Sequence, residues 1–216
     1  MIKLKRILPI LLILVMVSTT NAFAFEYETM DLDELIEPAS PWAQPEIDKA
    51  KEIGLLTTNT SMFFTTNITR GQFAELVVNM VEKTLDKEIE SAPKNTFTDT
   101  DDTSILKAYN ANIVNGISET EFAPKSLITR EQIATMLYRA IEYIETENGS
   151  EFTTKNETIE AYQDRQEVSS WAKSGVGILA NNGIMKGTSD TTLSPKGNAT
   201  VEQCVILVYR LYNLAN

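Results

Sequence analysis

One helix start occurs three times in this chain, as Ile68-Thr69-Arg70-Gly71-Gln72-Phe73, Ile128-Thr129-Arg130-Glu131-Gln132-Ile133 and Ala199-Thr200-Val201-Glu202-Gln203-Cys204. Each copy contains T-x-x-Q, a capping box in which the Thr hydroxyl takes the amide three residues on and the Gln side chain reaches back to the Thr amide. Apolar residues then recur at helical spacing: Phe73, Leu76, Val77, Met80 and Val81; Ile133, Met136, Leu137, Ala140, Ile141 and Ile144; Cys204, Leu207, Val208, Leu211, Tyr212 and Ala215. No single copy can bury such a stripe alone, so a fold built from them must pack the three stripes together.

A shorter helical segment precedes each cap. Trp42, Ile47, Ala50 and Ile53 mark the first, and Trp171, Val176 and Leu179 the third. The second keeps Ile105, Ala108 and Ala111 but has Thr100 in place of the Trp, which predicts a helix that is shorter or packed differently. Asn112-Ile113-Val114-Asn115-Gly116 and Gly183-Ile184-Met185-Lys186-Gly187 follow, with Asn or Gly suited to the left-handed residue that closes a helix. Phe122-Ala123-Pro124 and Leu193-Ser194-Pro195 then lead to the caps. The pattern is all-α: helix, turn, extended loop, capped helix, in units of about 50 residues, a common repeat length. It divides the chain into units at 38–90, 91–148 and 149–216, the last two led by the polar linkers Asp86 to Asn95 and Glu145 to Glu160.

Ahead of these units, Lys3, Lys5 and Arg6, an apolar run from Ile7 to Val17 and Ala22-Phe23-Ala24 have the form of a secretory signal peptide over residues 1–24, with a lead-in at 25–37. The run falls well short of the ~20 apolar residues a membrane span needs. The expectation is an exported protein without a membrane anchor once the signal is cleaved. With no Cys near the cleavage site and no covalent wall-sorting signal at the C-terminus, retention at a surface is expected to be by binding.

Losing Lys3, Lys5 and Arg6 takes the net charge from −11 to −14, a field that repels nucleic acid and anionic membranes. An anionic ligand would need a local site. The chain has no His, which excludes Ser-His-Asp and Cys-His mechanisms, and its one Cys, Cys204, cannot form an internal disulfide. Cys204 takes the stripe position of Phe73 and Ile133, so it is expected to be buried. The acidic run Asp99 to Asp102 lacks the spaced ligands and closing Glu of a calcium loop and suits the start of a helix. No metal, cofactor or catalytic residue is expected.

Taken in order, Phe97-Thr98-Asp99 and Tyr162-Gln163-Asp164, Trp42-Ala43 and Trp171-Ala172, Phe122-Ala123-Pro124 and the two Ile-Thr-Arg runs resemble the S-layer homology family. Units of that family read F-x-D, W-A, G-I-x-x-G, F-x-P and I-T-R-A-E, and the likeness extends from about Pro38 to Leu214. It implies three helix-loop-helix repeats packed as a pseudo-threefold bundle on the surface of a bacterium. The implied ligand is an anionic, in many members pyruvylated, secondary cell-wall polysaccharide held in grooves between repeats. Carried over by position, the binding residues would be Arg70, Arg130, Trp42, Trp171, Gly116 and Gly187. Other envelope or S-layer proteins are the alternative partners, and a carboxylate-based glycosidase is a lesser alternative. The third copy has Val201 instead of Arg, the first has Thr57-Thr58 at the turn glycine and the second lacks the Trp, so fewer than three working grooves are expected.

Each candidate also has an ordinary structural reading. Arg70 and Arg130 sit at the first helical position, where an anion could share the guanidinium and the exposed helix amides; the alternative is an Arg laid across the next unit against a carboxylate. Trp42 and Trp171 could stack on sugar or, as aromatics at helical spacing more often do, fill the space between the two helices of a unit. Gly116 and Gly187 would serve backbone geometry first.

Overall fold

The computed structural model describes residues 37–216, so the signal peptide and nearly all of the lead-in lie outside the described residues. The protein is all-α. Short helices α1 (Gln44–Glu52), α3 (Thr103–Asn110) and α5 (Lys173–Asn181) alternate with long helices α2 (Arg70–Leu85), α4 (Arg130–Asn148) and α6 (Val201–Ala215). As Thr100 led us to expect, α3 is the shortest, at 8 residues against 9 for α1 and α5. The turns after the short helices carry left-handed residues at Gly54, Asn112 and Gly183, the last two in the segments where Gly or Asn was expected.

All three long helices open on their capping boxes. The Gln72, Gln132 and Gln203 amides donate to the Thr69, Thr129 and Thr200 hydroxyls at 3.3, 3.4 and 3.4 Å. The same Gln side chains accept from the Thr amides at 2.9, 3.0 and 3.3 Å. Two amides at the start of each helix still lack intrahelical partners. Loop carbonyls from another helix pair fill them: Arg70 and Gly71 donate to Ser126 and Pro124, Arg130 and Glu131 to Gly197 and Pro195, Val201 and Glu202 to Thr66 and Phe64, all at 2.9–3.0 Å. Bridges between Thr69 and Leu127, Thr129 and Asn198, and Thr200 and Asn67 complete a circuit that returns to its start.

Packing follows the same circuit. Each short helix lies against the long helix of the neighbouring pair rather than its own: α3 on α2, α5 on α4 and α1 on α6. Helix α2 also touches α4 and α6. The residues that meet across these joints are small or aliphatic, such as Ala43, Ile47, Ala172 and Val176, all at most 1% exposed. Carboxylates set the entry of two short helices. Glu202 takes the Ser40 amide and hydroxyl at 2.8 and 2.9 Å, and Glu131 takes those of Ser169 at 3.0 and 3.1 Å. Helix α2 has Gly71 at that position, and α3 instead caps itself through Asp102, which accepts from Ser104 and Ile105.

The inner faces of the long helices form the core, and Cys204 is fully buried with Phe73 and Ile133, as its stripe position required. Burial pushes its thiol far above the usual range, which leaves no thiolate for exchange or ligation.

Asp99 and Asp164 hold the extended loops. Asp99 accepts from Phe122 and Ala123 at 2.9 and 2.7 Å, Asp164 from Leu193 and Ser194 at the same distances. These bonds hold Ala123 and Ser194 at φ of 60° and 53°, strained values for residues with a Cβ. In the last turn of α4, Glu145 accepts from Phe152, Thr153 and Lys155 of the linker that leads to α5. Burial works to raise the Asp99 and Glu145 carboxyls, but the donors outweigh it and hold both below the usual carboxylate range. A depressed folded-state pKa contributes stability above the unfolded value and loses it as pH falls. Thermal stability should therefore be flat from about pH 7 to 5 and decline below about pH 4. In an Asp99→Asn variant the acid decline should be shallower and the neutral-pH melting point lower; a melting point rising on acidification would contradict this assignment.

Candidate functional site

The two arginines that open α2 and α4 point into the next helix pair, not into solvent. Arg130 is 5% exposed, and its Nε and Nη2 donate at 2.7 Å to the carbonyls of Leu193 and Lys186. Arg70 is 9% exposed and repeats the arrangement, donating to Phe122 and Asn115 at 3.1 and 3.2 Å, with its guanidinium 4.6 Å from the Phe122 ring centroid. Burial lowers the pKa of both guanidinium groups.

This corrects two expectations. The first amides of α2 and α4 are already bonded to loop carbonyls, so no anion can share them with the guanidinium. The arginines do lie across the adjacent pair, but against main-chain carbonyls instead of a carboxylate. A planar five-donor fork suits two carbonyls at fixed angles, which a Lys could not match.

Gly116 and Gly187 belong to the same turns. A Cβ on Gly187 would stand 2.3 Å from Ser189 O and 2.4 Å from Thr192 O, and one on Gly116 2.3 Å from Ser118 O and 2.7 Å from Glu121 O. Glycine is required here by close backbone approach. Neither residue has positive φ.

Trp42 and Trp171 correct the burial expectation. They are 58% and 56% exposed, while the adjoining Ala43 and Ala172 are fully buried. The two helices of one unit do not pack on each other, so there is no space between them for an indole to fill. The Ala faces the neighbouring long helix and the Trp is left at the rim.

Three of the six candidates meet at the α1–α6 joint. Trp42, Arg130 and Gly187 line a groove of about 250 Å³ with Lys186, Thr188, Ile206 and Arg210. Three cations border it and no carboxylate is among the residues that line it. Arg210 is held from behind by Glu46 through two bonds of 2.8 Å. Lys186 is exposed and its ammonium has no partner among the described residues. Of the other three, Arg70 bonds the turn of Gly116, and Trp171 lies in the 3-10 turn Ser170–Ala172 packed on α4, the helix that carries Arg139. There Asn115, its amide oriented to donate to Val114 O, accepts from Arg139 Nη2 at 3.2 Å.

Lys186, Arg139 and Arg210 were not singled out from the sequence. The signal for the two arginines was present: both lie ten residues after a capping Thr. Both flank the apolar stripe that each helix buries.

Residues 96–134 and 161–202 match the family model of the S-layer homology domain. Over 196 residues the chain is 30% identical to an endoglucanase of Bacillus sp. (strain KSM-635), covering 90% of this chain and 19% of that protein. It is 29% identical over 153 residues to a cellulosome-anchoring protein of Acetivibrio thermocellus, covering 67% of this chain and 32% of that one. A surface-layer 125 kDa protein of Lysinibacillus sphaericus is 31% identical over 110 residues, covering 50% and 8%. The chain thus spans less than a third of the length of each of these relatives.

Proposed function

We propose that residues 38–216 form a non-catalytic cell-surface anchoring module, three helix-loop-helix units packed as a pseudo-threefold bundle, that binds an anionic secondary cell-wall polysaccharide at the joints between units. The observation that carries this reading is the α1–α6 groove, where Arg130, Lys186 and Arg210 converge beside an exposed Trp42 on a chain whose net charge is −11. Cations gathered against the overall field offer a local site for acidic groups, and a half-exposed indole offers a face to a sugar ring. The S-layer homology match and the anchoring and surface-layer relatives support the same reading. The enzymes among the relatives are far longer than their shared segment, so the shared part need not be the catalytic one. In this reading the protein works at the cell wall after export, with wall glycan as its partner and other envelope proteins as its neighbours.

Co-sedimentation with native sacculi, and with sacculi stripped of their secondary polymers, tests it. The exported chain should pellet with the native walls only, and less as salt is raised, because screening weakens exposed ion contacts. Equal pelleting with both preparations, or with neither, would count against a glycan ligand.

A further inference from the structure

The three joints are built on one plan, but their chemistry differs. Counting from the capping Thr, the first and tenth residues supply the guanidiniums: Arg130 and Arg210 border the α1–α6 groove, Arg70 and Arg139 the α4–α5 joint. The α2–α3 joint has Val201 and Asn79 at the corresponding positions. It contains a larger groove, about 380 Å³, lined by Glu75, Asn79, Glu82 and Lys107 among others.

The groups at this joint are already engaged with one another. Asn79 donates to Leu55 O at 2.7 Å, doing for this turn what Arg210 does for the carbonyl of Ile184 at 3.3 Å. Glu82 holds Lys107 at 2.6 Å and the Ile89 amide at 2.9 Å, and it lines the groove beside that lysine, whereas Glu46, which holds Arg210, is not among the residues that line the α1–α6 groove. The loop that an Arg would brace is instead closed by the Thr57–Thr60 capping box. Thr100 stands where the other two joints have an exposed Trp. Replacing both guanidiniums, the indole and the turn glycine together leaves a connection that needs no ligand and, with Glu75 and Glu82 lining it, repels an acidic one.

We infer that the protein is a bivalent anchor, in which the α1–α6 and α4–α5 joints each hold one acidic site of the wall polymer while the α2–α3 joint serves only to close the ring. This rests on the glycan reading above. Two sites on one rigid body let a polymer with repeated acidic groups bind both, so the second contact is effectively intramolecular. Avidity, rather than a tight single site, would then hold the chain to the wall.

The test is calorimetric titration of the exported chain with wall-polymer fragments released from native sacculi and trimmed to one acidic repeat. Two equivalents should bind. Lys186→Glu and Arg139→Glu should each leave one, the double variant none, and Ser104→Tyr, which fills the α2–α3 groove, should still bind two. Thermal melts of all variants check folding, and Arg139→Gln replaces Arg139→Glu if the latter melts early. On intact sacculi each single variant should lose about 100-fold in retention. Three equivalents for the parent chain, one equivalent, or a site lost in Ser104→Tyr would overturn bivalency while leaving glycan anchoring in place. No heat with any fragment, together with no pelleting on native walls, would overturn the anchoring reading itself.

Discussion

Gly187→Ala is expected to destabilise the fold by about 3 kcal/mol, the upper end of what overpacking usually costs. The new Cβ would meet two backbone oxygens, Ser189 O at 2.3 Å and Thr192 O at 2.4 Å. Backbone cannot swing aside as a side chain does. Relieving the clash would open the 2.8 Å bond from the Thr188 amide to Thr192 O and pull Lys186 O from Arg130. For a chain of this size the melting point should fall by about 6–12 °C. Gly149→Ala is the comparison: its φ is +66°, but nothing lies within 4 Å, so backbone strain alone should cost about 1 kcal/mol. Equal melting points for the two variants would show that the turn has room the geometry denies it.

Arg130→Ala and Lys186→Ala should separate two kinds of groove residue. Removing the Arg130 side chain leaves the buried Leu193 carbonyl and the part-buried Lys186 carbonyl without their donor, and about 3 kcal/mol of stability should go with it. Wall binding should fall as well, because the turn that presents Lys186 is no longer held. Lys186→Ala removes only an exposed, unpaired ammonium, so stability should stay within about 0.5 kcal/mol. Its binding to native sacculi should nevertheless drop by about 10-fold, a reasonable loss for one charge-assisted contact. An Arg130→Ala protein that melts like the parent would refute the bracing role. A Lys186→Ala protein that pellets like the parent would remove the α1–α6 groove as a binding site.

Much of the local structure was legible in the residues. The T-x-x-Q boxes predicted the three long-helix starts, and the spacing of Phe73, Ile133 and Cys204 predicted which face is buried. These are short-range effects: a cap bonds three residues away, and a stripe repeats every turn. The candidate site was legible as a set of residue types, not as a set of contacts. Trp42 was weighed against a helix in its own unit, yet the helix it stands beside is α6, more than 150 positions on. Arg130 was paired in expectation with an anion or a carboxylate, yet its partners are carbonyls 56 and 63 residues away.

The sequence by itself determined the all-α class, the caps, the buried stripes and the turns, because each depends on atoms within about two helical turns of one another. Only the tertiary structure decided that each short helix packs on a neighbouring pair, which turns Trp42 and Trp171 outward and Arg70 and Arg130 inward. That choice depends on how three nearly alike apolar faces share their burial. Burial is nondirectional, so the pattern that demands it does not say which partner supplies it.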